Sequence, residues 1–507
     1  MSSSVQSILH IGSGGVIVEA ECHLSNGLPS IIIVGLGNKA VDEAKERIRS
    51  AFSSTKMLVP RKRITINLAP ADVPKESTSL DLAIAAVLLL ASGQLKHNFT
   101  KQEAVMGELG LDGTVRSVRG LIGKLLVGKD RGIDTFYVPA ANMHQALLVP
   151  GITVIPIAHI KDLYLGCNGM KKLTRQQTGD GIMPQPEQTT SELVLADVAG
   201  QARAKRALEI AAAGGHNILL SGPPGTGKSM LAKAFRSILP PMSQNEILEV
   251  THLHSLIGNT YDKLVAARPF RSPHHSSSHV AIVGGGLNLK PGEISLSHRG
   301  VLFLDELPEF DRSTIEALRQ PLEDRMVTIS RAKDTAMYPA NFILVATANP
   351  CPCGYYGTVR ECECSPYHIL KYRRKLSGPI MDRLDLYVDV DAVDHTQLLR
   401  TDTSENDELI KQRVTAARHL QQNRYQSTQK LNSNMSNREI KHSARLTIEA
   451  QALLNQAAAR LNISARGYMR TIRVARTIAD LAKSARLDTP HVTEALQYRA
   501  PVATFGP

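Results

Sequence analysis

Residues Gly222 to Ser229 read G-P-P-G-T-G-K-S, a spacing that suits one task, holding a chain of phosphates. Backbone N–H groups must turn inward around a phosphate, and a Cβ at Gly222, Gly225 or Gly227 would obstruct them, while Pro223, Pro224 and Thr226 complete the loop. Lys228 can place its charge on the β and γ phosphates of ATP, and the Ser229 hydroxyl can complete the shell of a Mg²⁺ ion. Further along, V-L-F-L-D-E ends an apolar run on two carboxylates. Asp305 would hold Mg²⁺ and Glu306 would polarise the attacking water. Asn349, at the end of A-T-A-N-P, can orient that water, although an Asn before Pro also suits an ordinary turn. Cys351, Cys353, Cys362 and Cys364 form C-P-C and C-E-C across eight residues, a spacing expected for a four-thiolate structural Zn²⁺ site, with four free loop thiols as the alternative.

These groups need elements to position them. The apolar run at 217–221 before the loop and the helical pattern after it place the loop at the C-terminal end of a buried strand. The runs at 301–304 and 341–348 suit further central strands of a parallel sheet, whose C-terminal ends carry the polar residues. The expected fold is therefore α/β, with a P-loop parallel-sheet core over 192–392 and a small cysteine insert at 351–364. An α+β domain over 1–166 precedes it, with strands at 31–35, 64–68 and 136–139 and helices at 41–52, 80–91 and 121–132. A Gly-, Pro- and Gln-rich stretch, 167–191, reads as a linker, and 393–507 reads as an all-helical lid.

Composition narrows the class. The 507 residues include 36 Gly without a G-x-y period and only six Cys, which excludes a collagen-like chain and a disulfide-stapled module. Met1 is followed by a polar run, and no stretch of about 18 apolar residues occurs, so a soluble cytoplasmic protein without membrane partners is expected. The formal charge is +12, and Lys411 to Arg486 holds fifteen basic residues against Glu439, Glu449 and Asp480, which equals the whole excess. The basicity is local and belongs to the expected lid.

Several longer strings carry a family resemblance. RPFRSPHHSSSHVAIVGGG, LSHRGVLFLDELPEF, EDRMVTISRAKDTAMYPANFILVATANPCPCG, LSGPIMDRLDLYVDV and SARGYMRTIRVARTIADL resemble the magnesium-chelatase-like group of AAA+ ATPases typified by ComM and YifB. NLAPADVPKE and GELGLDGTVRSVRGL are similar to the Lon-protease-like domain that opens such proteins. The resemblance implies a homo-oligomeric ring, most simply a hexamer, acting on single-stranded and branched DNA. It would be a helicase that drives branch migration during recombination in natural transformation, with recombination proteins as possible partners. It also implies that Arg383 is a finger reaching a neighbour's nucleotide and that Arg466 is a lid arginine sensing the γ-phosphate. The segment with His274, His275 and His279 is expected as an insert facing a pore, and Arg271, Lys290, Arg331 and Lys333 are candidate DNA phosphate contacts. A magnesium-chelatase-type motor subunit is one alternative. An ATP-dependent Lon-like protease is another, with Ser77 or Ser79 and Lys124 near the places of a Ser–Lys dyad but without the glycine-flanked serine turn such enzymes use.

Overall fold

The computed structural model describes residues 3–11, 14–35, 39–71, 75, 78–179, 193–257, 263–286, 289–330, 335–376, 378–392, 405–427 and 429–499. The chain divides into two compact units. The first comprises Met1–Pro186, Ser243–Ala266 and Ser330–Met337, and the second Glu187–Met242, Ala267–Ile329 and Tyr338–Pro507.

In the first unit an eight-stranded mixed sheet runs in the order Gln176–Gln177, Thr153–Ile157, Thr135–Pro139, Glu103–Val105, Ser3–Ile11, Gly14–Ser25, Arg63–Ala69, Ser30–Val34. Helix Asp81–Ala91 is apolar all round, and every residue from Asp81 to Leu89 is buried, as an enclosed core helix requires. Val5, Val18, Ala20, Ile64, Ile66 and Leu68 of the sheet join it in one core. Its one charged residue, Asp81, accepts from Arg47 Nε at 2.7 Å and from the Leu109 N–H at 3.2 Å. Burial pushes the Asp81 carboxyl up to about 6 despite Arg47. Within the stretch expected as a linker, Gln176–Gln177 pair with Val154 and Thr153, and Thr178 bonds Ile152 on both backbone groups, so this portion belongs to the first sheet. Residues 180–192 lie outside the described residues.

The second unit is built on a five-stranded parallel sheet ordered Phe270–Arg271, Val301–Leu304, Ile343–Ala348, Ile218–Ser221, Leu386–Asp389. The three central strands are buried almost without exception, which is why they read as continuous apolar runs. The C-terminal segment forms helices Asp407–Tyr425, Asn437–Ser443, Ile448–Arg460, Ala465–Leu481 and Thr489–Gln497. These share one hydrophobic core with the sheet. Ile410, Val414 and Ala417 lie in it with Ala207, Leu208 and Ala211 of helix Ala202–Gly214, whose small side chains allow close approach.

Much of the basic excess is spent inside this unit. Arg413 pairs with Glu209 and Glu405, Arg418 donates to the Ala212 carbonyl, Lys430 pairs with Glu439, and Arg424 and Arg476 converge on Asp480. Arg476 and Asp480 are each 1% exposed. No helix among the described residues is long and apolar enough to cross a membrane.

Candidate active site

The phosphate loop leaves strand Ile218–Ser221 at its C-terminal end and enters helix Lys228–Ala234. A Cβ on Gly222 would sit 2.2 Å from the Val390 carbonyl oxygen, so strand packing alone forbids any other residue there. Gly225 and Gly227 have φ of 82° and 85°, the left-handed region that glycine enters without strain. Thr226 Oγ1 donates to the Pro223 carbonyl at 3.0 Å, and the Lys228 ammonium donates to the Gly222 and Pro223 carbonyls at 2.7 Å. Gln201, not singled out by its sequence context, donates to the Asp391 carbonyl at 2.7 Å and to the Thr226 carbonyl at 3.4 Å. Burial pushes the Lys228 amine down to about 8, with Asp305 and Glu306 pulling the other way.

The acidic pair leaves the end of the strand two places away in the sheet, with Ile343–Ala348 between. Asp305 accepts from Ser229 Oγ at 3.0 Å, which brings together the two side chains expected to share Mg²⁺. Thr347 lies in the intervening strand and is fully buried. Its hydroxyl donates to Asp305 at 2.6 Å and accepts the Glu306 N–H at 2.8 Å, so one side chain fixes both acidic residues. Sequence reasoning passed over Thr347, although a hydroxyl inside I-L-V-A-T-A was the available signal. Glu306 itself is exposed, stands at φ 53° and receives Asn349 Nδ2 on Oε1 at 3.4 Å. The ensemble offers a cradle of backbone N–H groups, a cation, a hydroxyl–carboxylate pair fit for Mg²⁺ and a free carboxylate steadied by an amide.

Arg383 occupies a different place. It precedes strand Leu386–Asp389, which runs parallel to Ile218–Ser221 in the register Ile218 to Leu386 and Ser221 to Asp389. The arginine therefore lies at the opposite end of the sheet from the phosphate loop, about 13 Å of strand away. Its Nη1 donates to the Pro379 carbonyl at 2.7 Å and its Nη2 pairs with Glu323. Arg466, in the first turn of helix Ala465–Leu481, lines the same cleft of about 740 Å³ with Arg383, Arg325, Arg470 and Arg473. The two expected arginines are thus together, and apart from the phosphate loop of their own chain.

The other sequence candidates divide. Arg271 sits on the edge strand of the parallel sheet, and its guanidinium binds both oxygens of Glu293, so its charge is matched locally. Lys290 is exposed and pairs through its backbone with Gly285 in a short ribbon. Arg331 and Lys333 lie outside the described residues. The His274 and His275 rings stack 4.1 Å apart, and His275 meets Phe310 edge-on. Ser79 and Lys124 are each 2% exposed, which gives a peptide no access to either; Ser77 lies outside the described residues.

The four cysteines gather as their spacing suggests. Cys351 Sγ lies 3.3 Å from Cys353 and 3.7 Å from Cys362, Cys353 lies 3.5 Å from Cys362, and all four sulfurs fall within 4.8 Å of one another. A tetrahedral zinc–thiolate centre has sulfur–sulfur edges of about 3.8 Å, so the set fits such an ion, whereas a disulfide would need about 2 Å. The Tyr355 backbone donates to Cys353 and holds its thiol down at about 6, so one thiolate is available at neutral pH.

A phosphate loop, an acidic pair on a parallel strand and an amide at the tip of the strand between them define a P-loop ATPase of the magnesium-chelatase-like AAA+ class. The family described as magnesium chelatase, subunit ChlI, matches residues 194–398; subunit ChlI of Mg-chelatase matches 20–142 and its C-terminal part 404–499. Competence protein ComM of Haemophilus influenzae is 41% identical over 502 residues, covering 98% of this chain and 97% of that protein. YifB of Escherichia coli is 40% identical over 510 residues, covering 97% of each. The chain belongs to the ComM/YifB family. A magnesium-chelatase 67 kDa subunit of Chlorobaculum parvum is 29% identical over 163 residues, only 31% of this chain.

Proposed function

We propose that this protein is an ATP-driven ring motor on DNA, a helicase that promotes branch migration. The observation that carries the ATPase part is the convergence of Ser229, Asp305, Thr347, Glu306 and Asn349 beside the phosphate loop. Lys228 would bind the β and γ phosphates, and Glu306 would take the proton of the attacking water while Asn349 holds the carboxylate in place. Mg²⁺, held by Ser229 and Asp305, would neutralise charge between the phosphates when bound. Arg383 and Arg466 lie at the far end of the sheet, so in this reading they serve the nucleotide of an adjacent copy. A head-to-tail contact of this kind closes most simply into a ring, with a hexamer as the proposed form. The cysteine cluster would hold a structural Zn²⁺ ion.

DNA as the substrate is supported by near-full-length similarity to a protein named for competence, whereas similarity to the chelatase subunit covers a third of the chain. Proteolysis is disfavoured by the burial of Ser79 and Lys124. Lys290, Arg331 and Lys333 remain the proposed DNA phosphate contacts, and Arg271 is better described as the support of its strand through Glu293. The test is ATP turnover with and without DNA, together with movement of a three-strand DNA junction. Glu306→Gln should lower turnover by about 10² to 10⁴. An unchanged rate in that variant would remove the ATPase assignment, and active turnover without junction movement would remove the branch-migration assignment.

A further inference from the structure

The cysteine cluster stands unusually close to the phosphate chemistry. Only Pro350 separates Asn349 from Cys351, and Cys351 is fully buried. The Cys351 carbonyl accepts the Gly354 N–H at 3.0 Å, closing a tight turn, and its sulfur accepts the Tyr356 N–H at 3.3 Å. That turn carries Gly354, with φ 86°, against the phosphate loop. A Cβ on Gly354 would lie 2.6 Å from Pro224 Cδ and 3.0 Å from its Cγ. On the other side, Arg373 Nε donates to the Pro350 carbonyl at 3.4 Å.

Besides the sulfurs, surface polar contacts tie the segment: Thr358 Oγ1 donates to the Tyr355 carbonyl at 2.8 Å, Arg360 Nη1 donates to the Tyr355 hydroxyl at 2.9 Å, and the Arg373 guanidinium lies 5.0 Å from the Tyr356 ring. Between residues 351 and 364 only Cys351 and Gly354 are buried, and Val359 is fully exposed. A stretch that buries so little apolar surface depends on a cross-link for its order, and here the cross-link is the four sulfurs. Whatever they hold therefore fixes the turn that touches Pro224 and the strand end that carries Asn349.

We propose that the cysteine cluster is a metal-dependent brace of the ATP site: a zinc-class divalent ion on Cys351, Cys353, Cys362 and Cys364 holds Asn349 towards Glu306 and Gly354 against Pro224. Nucleotide binding survives loss of the ion, and the hydrolytic step does not. The kinetic part rests on the ATPase reading above; the structural part stands without it. For the hydrolytic step the cysteines act as positioning residues through Asn349; the contact of Gly354 with Pro224 is the part that hydrogen exchange reads.

The experiment uses the full chain prepared without a metal-affinity tag, its metal content measured before and after chelation under reducing conditions. Amide hydrogen exchange in the peptide holding Gly222 to Gly227 should quicken several-fold when the metal leaves and return when zinc is restored. In parallel, kcat should fall about ten-fold or more, with the KM for ATP changing less than about three-fold. In Asn349→Ala, already slow, chelation should add little, because the group it acts through is gone.

Unchanged exchange in the phosphate loop on metal removal overturns the brace, whether or not the protein hydrolyses ATP. An equal further fall of kcat in Asn349→Ala also overturns it. A protein purified without metal, with exchange and kcat untouched by Cys362→Ser, does the same. Failure of the ATPase reading is distinguishable, since it shows as metal-loaded protein without Glu306-dependent hydrolysis.

Discussion

Replacing Lys124 by Met should make the first unit more stable, and by an amount that depends on pH. Lys124 lies on helix Leu121–Asp130 at 2% exposure, and among the described residues no hydrogen bond or ion pair engages its ammonium. Burial alone pushes its amine from 10.5 down to about 7. The unfolded chain then binds one proton more than the folded chain between pH 7 and 10.5, so stability rises with pH across that window. The penalty is greatest below pH 7 and is relieved as pH approaches 10.5. A shift of this size corresponds to about 4 to 5 kcal/mol at full value, and relaxation around the site brings the expectation to about 3 to 5 kcal/mol near neutral pH. Met keeps the unbranched length and removes the charge, so Lys124→Met should recover most of that at pH 6.5 and almost none at pH 10. Calorimetry should show the first unit's transition raised on the order of 10 °C at pH 6.5, with the gap closing at high pH. A destabilised Met variant, or a gain independent of pH, would refute the reasoning. It would mean that the ammonium has a partner in the fold, and the Ser–Lys reading would have to be reopened.

Two further outcomes follow from the second unit. Arg383→Ala and Lys228→Ala should each abolish turnover, yet mixing them should restore up to about a quarter of the sites, those pairing an intact phosphate loop with an intact neighbouring arginine; a mixture as inactive as its parts removes the shared-site arrangement. Asp480→Ala leaves the buried Arg476 and the half-buried Arg424 without their carboxylate and should cost about 3 to 5 kcal/mol in chemical denaturation, with a loss under 1 kcal/mol showing that the network is not held as described.

The site was legible where backbone geometry demands particular residues. Gly222, Gly225, Gly227, Lys228, Asp305 and Glu306 are spaced by the turn and the strand ends themselves, so their sequence pattern is close to a description of their positions. Thr347 was not legible because its role is set by a neighbouring strand 42 residues away from Asp305, a relation that only strand order supplies. The placement of Arg383 and Arg466 in one cleft likewise depends on strand direction, which no local string encodes. In the first unit, Ser3–Ile11 and Gly14–Ser25 were passed over although the signal was present: V-E-A-E-C-H-L at 18–24 has the period-two alternation of a half-buried strand, and the buried Ser7 blurs it only in Ser3–Ile11. The charge excess was located in the expected lid, and the structure shows part of it bound within the fold, at Arg413, Arg418, Arg424 and Arg476, so net charge overstates what a partner would meet.

The backbone at Glu306 has a consequence for how this chain can vary. A residue other than Gly or Asn held at φ 53°, ψ 53° costs about 1 to 2 kcal/mol relative to glycine. Mutation towards Gly or Asn there is therefore favoured by folding and opposed only by chemistry. A lineage released from the need to hydrolyse ATP should lose this carboxylate early, while still folding and binding nucleotide. A library selected for thermal tolerance alone should drift at position 306 in the same direction, since the glutamate there stands against the preference of its backbone.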